Sequence, residues 1–183
     1  MMRKVLIHVE GVTEETFVRD VLRPHFESRG LMLQAVLLKT KRVPDGPDFR
    51  GGHVPYAIIE REIRRLLGDT SACAVTTMYD LYALPHDFPR FAETRGASAR
   101  VRAELLESAL KEQIGHERLR PYLQLHEFEA LLFTDVPKIG EILGAGSSQV
   151  ATLRREVQSF ASPEEIDDGV KTAPSKRLQR AFP

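Results

Sequence analysis

Five consecutive residues near the start of the chain, Val5-Leu6-Ile7-His8-Val9, are apolar at every position except His8. A run that short cannot fill a helix, and it lacks the alternation of a strand wetted on one face. It reads as a strand buried on both faces, the usual setting of a parallel sheet. Parallel neighbours require crossovers of about a dozen residues or more, commonly helices, so strands and helices should alternate along the chain. A helix is expected from Thr13, with Glu14 and Glu15 in its first turn, where the helix dipole favours acids. Phe17, Val21, Leu22 and Phe26 give it an apolar face, and Pro24 should kink or shorten it. Leu33 to Leu38 is the second candidate strand, and the Pro- and Gly-rich stretch Thr40 to Val54 is a loop. Pro55 to Gly68 is the next helix, and Ala72 to Tyr79 is a third strand ending at Asp80. A second loop from Leu81 to Gly96 precedes a helix from about Ser98 to Ile114, whose apolar face is supplied by Val101, Leu105, Ala109 and the neighbouring leucines. Tyr122 to Leu125 is the fourth strand. Further helices are expected from Glu127, over Pro137–Leu143, over Val150–Phe160 and after Pro174.

This order predicts an α/β fold: a layered domain with a mostly parallel central sheet of about four strands flanked by helices. Residues 1–133 form its core. Residues 134–183 form a helical extension expected to pack on the same domain. The basic end, KTAPSKRLQRAFP, stops inside what reads as a helix, so the natural chain is expected to continue past Pro183.

Composition narrows the function classes. A single cysteine, Cys73, excludes a disulfide framework and a Cys-rich zinc site, and it fits a reducing cytoplasm. Cys73 lies in an apolar run and is expected to be buried. No apolar run approaches the roughly 18 residues of a membrane span. Lys plus Arg and Asp plus Glu are both 26, so the net charge is zero and any polyanion chemistry must be local. Arg outnumbers Lys 19 to 7, and Arg is the better bidentate phosphate partner.

Residues just past the carboxyl ends of parallel strands gather in one crevice, where ligands of such sheets usually bind. Glu10 follows the first strand and Asp80 the third. Glu14 sits one helical turn after Glu10, and Glu127 and Glu129 follow the fourth strand. Clustered carboxylates suit Mg²⁺ or Mn²⁺. The alternatives are structural: Glu14 as a partner of the helix dipole, Asp80 as a turn former, His8 as a packed core histidine. Basic residues that could hold phosphate are Lys41, Arg42, Arg50, His53, Lys176 and Arg177. Neither GxGxxG nor a P-loop is present, and Leu125-His126-Glu127-Phe128-Glu129 is not HExxH.

The stretches HVEGVTEETFVRDVLRPH, RGGHVPY, VTTMYDLYALPHDFP and LQLHEFEALLF resemble a bacterial family grouped with the Toprim-like fold and related to the overcoming-lysogenization-defect nucleases. The resemblance implies a small Rossmann-like domain with a glutamate after the first strand and a DxD motif after the third, binding Mg²⁺ for phosphodiester cleavage. On that pattern Glu10 matches the first-strand glutamate, Glu14 a further acid of the nuclease branch, and Asp80 the first aspartate of DxD. The second DxD position is Tyr82, a departure that leaves Asp87, Glu127 or Glu129 to complete the metal site. Relatives are often encoded beside an ATPase in cassettes that look like phage defence. The expected function is a metal-dependent nuclease or nuclease subunit, with nucleic acid and an ATPase as partners, a second copy of the chain kept open, and no membrane. Two alternatives stand beside it: a non-catalytic interaction module that partners an ATPase, and a small-molecule phosphotransferase or phosphatase.

Overall fold

A computed structural model describes residues 2–38, 54–166 and 172–182. Contacts divide the chain into two compact units, Met1–Leu123 and Gln124–Pro183, a boundary ahead of the 133/134 junction expected from sequence.

The first unit is the α/β layer. Strand β1 (Arg3–Val9) sits between β2 (Leu31–Leu37) and β3 (Ala72–Asp80), and both pairings are parallel. A short β4 (Leu119–Arg120) extends the parallel sheet on the far side of β3, giving the order β2-β1-β3-β4. A further short strand, β5 (Leu123–Gln124), also pairs β3. The strand expected over Tyr122–Leu125 corresponds to β5, and β4, which the sequence pattern does not mark, precedes it across Pro121, where proline has no N–H to give the ladder. Thr77 ties this segment to β3: its hydroxyl donates to the Tyr122 carbonyl at 2.8 Å and accepts from the Tyr122 N–H at 2.9 Å.

Helices fill the crossovers. α1 (Val12–Phe17) runs into a π-helical turn (Val18–Leu22) and on through α2 (Arg23–Glu27). Pro24, expected to kink or shorten this helix, does not stop it: the helical run passes through a local change to π geometry. The proline ring would clash with a carbonyl four residues back, and the wider π turn just before it, closed by the Arg23 N–H on the Val18 carbonyl, opens that position. Val18 is the buried residue of this stretch, while Val21 is exposed. α3 (Tyr56–Leu67) packs Ile59, Ile63, Leu66 and Leu67 inward. α4 (Ala99–Ile114) is capped by the Ser98 side chain and ends at Gly115, whose positive φ of 67° no ordinary side chain adopts cheaply. Its buried face is Ala103, Leu106, Ala109, Leu110 and Ile114; Val101 and Leu105, placed inside by sequence, are exposed.

Arginines close several helix and strand ends. Arg118 donates to the carbonyls of Asp69 at 2.8 Å, Ala72 at 2.6 Å and Leu67. Arg64 donates to Ile114 and Gln113, both at 3.2 Å, at the end of α4. The planar fork that suits phosphate also suits paired carbonyls, so part of the Arg excess is architectural.

The second unit is helical. Phe128–Asp135 forms a 3₁₀ stretch rather than the expected α-helix, followed by α5 (Val136–Leu143), α6 (Ser147–Val157) and α7 (Pro174–Ala181). Phe133, Val136, Leu153 and Ile166 form its core. Gly140 lets α5 approach α6: a Cβ there would stand 2.3 Å from Val150 Cγ2. Among the described residues no helix is long and apolar enough to cross a membrane.

Candidate functional site

The site is built from the last rungs of the β1–β3 ladder. Val9 pairs with Met78, so Glu10 stands level with Tyr79 and Asp80 one step beyond. Both acids thus sit at one edge of the sheet. They do not start on one face. Side chains alternate along a strand, which puts Glu10 with His8 and Tyr79 and turns Asp80 the other way as the chain enters the 3₁₀ turn Leu81–Ala83. Glu10 is exposed and Asp80 half-buried.

Behind this edge lies a buried polar pair: His8, expected from sequence as a packed core histidine, meets Tyr79. His8 and Tyr79 are almost wholly enclosed, and His8 Nδ1 lies 2.5 Å from the Tyr79 hydroxyl, with the rings edge to face at 5.8 Å. Burial lowers the His8 pKa to about 4, with Arg65 reinforcing and Glu62 opposing. Burial also pushes the Tyr79 phenol well above its usual value, and Glu10 and Glu62 add to the shift. Both rings are therefore neutral near pH 7, and the tautomer of His8 sets which of Nδ1 and the phenol donates. Nε2 has no hydrogen-bond partner among the described residues. Glu62, buried on α3, is 2.9 Å from Arg65, close but not aligned as a hydrogen bond. An apolar-patterned strand containing one histidine was the available signal for this group; the tyrosine that answers it is 71 positions away.

The other acids have local uses. Glu14 Oε2 accepts the Gly11 N–H at 2.9 Å, so it caps its own helix and fixes the turn that carries Glu10. Asp87 accepts the Tyr56 N–H through both oxygens at 3.2 Å, capping α3. In the second unit, Glu127 accepts the Ser175 N–H at 2.7 Å in the first turn of α7. Glu129 is half-buried in the 3₁₀ stretch, and Tyr82 is exposed on its turn. Among the described residues no three His, Cys, Asp or Glu side chains come together as a metal cage. Mg²⁺ does not require one: it keeps several waters and is often held by one or two carboxylates with substrate phosphates completing the shell. Glu10 and Asp80 supply hard carboxylate oxygens, the donor type Mg²⁺ takes, from adjoining strand ends that start on opposite faces.

The basic candidates divide. Lys41, Arg42, Arg50 and His53 lie outside the described residues. Lys176 is exposed on α7. Arg177, expected to hold phosphate, is instead buried: it donates to the Thr172 carbonyl at 2.6 Å, reaches Glu156 at 3.4 Å and lies over the Phe160 ring. Its guanidinium is engaged within the unit's own packing. Cys73, expected inside, is exposed, because strand alternation buries Ala72 and turns the next residue outward.

Among curated proteins and among solved structures, nothing matches the chain. A family model described as a domain of unknown function, DUF4276, matches residues 9–183, and the chain belongs to that family.

Proposed function

We propose that the protein is a metal-dependent nuclease, or the nuclease subunit of a larger assembly, acting on nucleic-acid phosphodiester bonds. The observation that carries this reading is the position of Glu10 and Asp80 beyond the last rung of two paired parallel strands. That edge is where parallel α/β sheets place their ligands, and the resemblance of the surrounding motifs to Toprim-like nucleases points to the same two residues. Glu10 and Asp80 would hold Mg²⁺ or Mn²⁺, which when bound lowers the pKa of a water and clamps a phosphoryl oxygen. The chain's own contribution is to present these carboxylates. Glu14 holds the Gly11 amide and so sets the backbone that carries Glu10. The neutral His8–Tyr79 pair behind them adds no charge to compete with a cation. The expected partners are nucleic acid, gripped through its backbone with salt-dependent affinity, and an ATPase.

The test is cleavage of single- and double-stranded DNA and RNA with and without Mg²⁺ or Mn²⁺, for the wild type, Glu10→Gln and Asp80→Asn. Equal activity in all three overturns the assignment. A second reading, a non-catalytic module docking an ATPase, is favoured by Tyr82 standing exposed where the resembled motif has its second acid. Calorimetry decides between them: tight ATPase binding with no uptake of Mg²⁺ or Mn²⁺ supports the module.

A further inference from the structure

Backbone pairing between β1 and β3 ends at Val9 and Met78, yet Glu10 and Asp80 both lie beyond it. Past the last rung, nothing in the ladder itself sets the spacing of the two strand ends. The His8–Tyr79 hydrogen bond crosses there. It starts two residues before Glu10 and ends one residue before Asp80, on a diagonal that reaches one residue further along β3 than the ladder does.

We infer that the hydrogen bond between the Tyr79 hydroxyl and His8 Nδ1 is a positioning device, a side-chain rung that extends the β1–β3 cross-link to the edge where Glu10 and Asp80 emerge. The inference deepens the metal-site reading of those two acids and rests on it. Three features make the rung stiff. Both side chains are enclosed, so no water competes for the bond. The edge-to-face contact fixes the ring planes. Tyr79 also has Met78 and Leu81 buried beside it in the chain, which limits how far the end of β3 can shift. An unmade hydrogen bond in this setting would leave a second buried polar atom beside the already orphaned His8 Nε2. His8 and Tyr79 are positioning residues and touch no substrate in this scheme.

The experiment uses three variants of the full chain. Tyr79→Phe removes one oxygen and keeps the ring. His8→Asn keeps a polar partner for the hydroxyl, since its Oδ1 and Nδ2 are bonded to Cγ as Nδ1 is and serve either direction of the bond. His8→Leu keeps apolar volume and loses that partner. Two quantities are read: hydrogen exchange of the amides of residues 9–11 and 79–82 without metal, and Mn²⁺ affinity by calorimetry. Tyr79→Phe and His8→Leu should speed exchange at both strand ends and weaken Mn²⁺ about tenfold, the scale of losing a group that orients a ligand. His8→Asn should stay within about threefold of wild type in both, because it restores the bond. A packing role predicts the opposite order at position 8, with leucine milder than asparagine, and that order overturns the inference. Unchanged exchange in Tyr79→Phe overturns it too. A wild type that binds no Mn²⁺ overturns the metal reading of the edge instead, and the exchange pattern still decides the rung.

Discussion

Both units of the protein carry acids just after strand-like segments, and the settings of those acids differ. In the first unit, Glu10 and Asp80 end β1 and β3 at the carboxyl edge of a parallel sheet. In the second, Glu127 precedes a 3₁₀ stretch and accepts the Ser175 N–H at the start of α7. Glu14 and Asp87 show the second use inside the first unit, each on a helix N-terminus. A carboxylate's role here follows from what its neighbourhood leaves unsatisfied. Helix starts expose amide donors that attract any acid within reach, whereas a sheet's carboxyl edge is where parallel α/β folds keep their ligands.

The sharpest way to break this contrast is to neutralise the edge acids. Glu10→Gln and Asp80→Asn should each lower metal-dependent cleavage by about a thousandfold, the upper range for removing one contact to a developing charge. Their melting temperatures should stay near wild type, because Glu10 is exposed and Asp80 only half-buried. A loss of fold in either variant would move that acid into the architectural class with Glu127.

The buried side of the same edge predicts a pH dependence. Unfolded, His8 titrates near 6.5; folded, near 4. Between those values the unfolded chain binds more protons, so stability rises with pH across the window and is lost as pH falls through it. Over that interval of about 2.5 units the loss should approach 3 kcal/mol. Tyr79, Glu62 and Arg65 are the groups that face His8 or set its charge environment. Asp69, held well below the usual carboxylate range by Lys4 and Ser71, contributes in the same direction only at lower pH. Urea midpoints measured from pH 7 to pH 4 should fall for wild type and flatten for His8→Asn. Parallel curves would mean that this edge holds no special buried group.

The parallel sheet was legible in the sequence because strands buried on both faces are apolar throughout, as Val5–Val9 and Ala72–Tyr79 are. Helix ends are legible where a proline or a glycine marks them, as at Pro55 and Gly68 around α3. β4 is missing from the sequence pattern because two residues ahead of Pro121 carry no strand signature, and on α4 Ala109 and the neighbouring leucines pack while Val101 and Leu105, equally apolar, do not. Glu10 and Asp80 were found by strand-end logic. The pleat that turns them to opposite faces depends on register, and register is a pairing between distant segments. Beside Asp80, Tyr79 reads from sequence as a ring that stacks or hydrogen-bonds near the crevice or packs in the core. Its partner His8 belongs to another strand, and no local pattern links the two.

In the second unit, helix packing itself can be pressed. Gly140→Ala would put a methyl into Val150, where the gap is 2.3 Å to Cγ2. Overpacking of this kind costs about 2 kcal/mol, and thermal unfolding should show it. Val150→Ala in the same background should recover part of the loss, since it removes the atom that is struck. Failure of that rescue would place the strain elsewhere in the unit.

The smallest effect is the most direct comparison of the two acid uses. Glu127→Ala deletes the carboxylate that accepts the Ser175 amide, leaving that N–H without its partner in the first turn of α7. Losing a helix N-terminal acceptor costs about 1 kcal/mol. Glu127→Gln keeps an oxygen acceptor and should cost less, because the hydrogen bond survives and only the charge facing the helix dipole is lost. Chemical denaturation resolves such a difference, and hydrogen exchange at residues 175–178 locates it. If both variants instead leave stability untouched and abolish Mn²⁺ uptake, Glu127 belongs with Glu10 and Asp80, and the division between capping acids and edge acids fails at the residue that defines it.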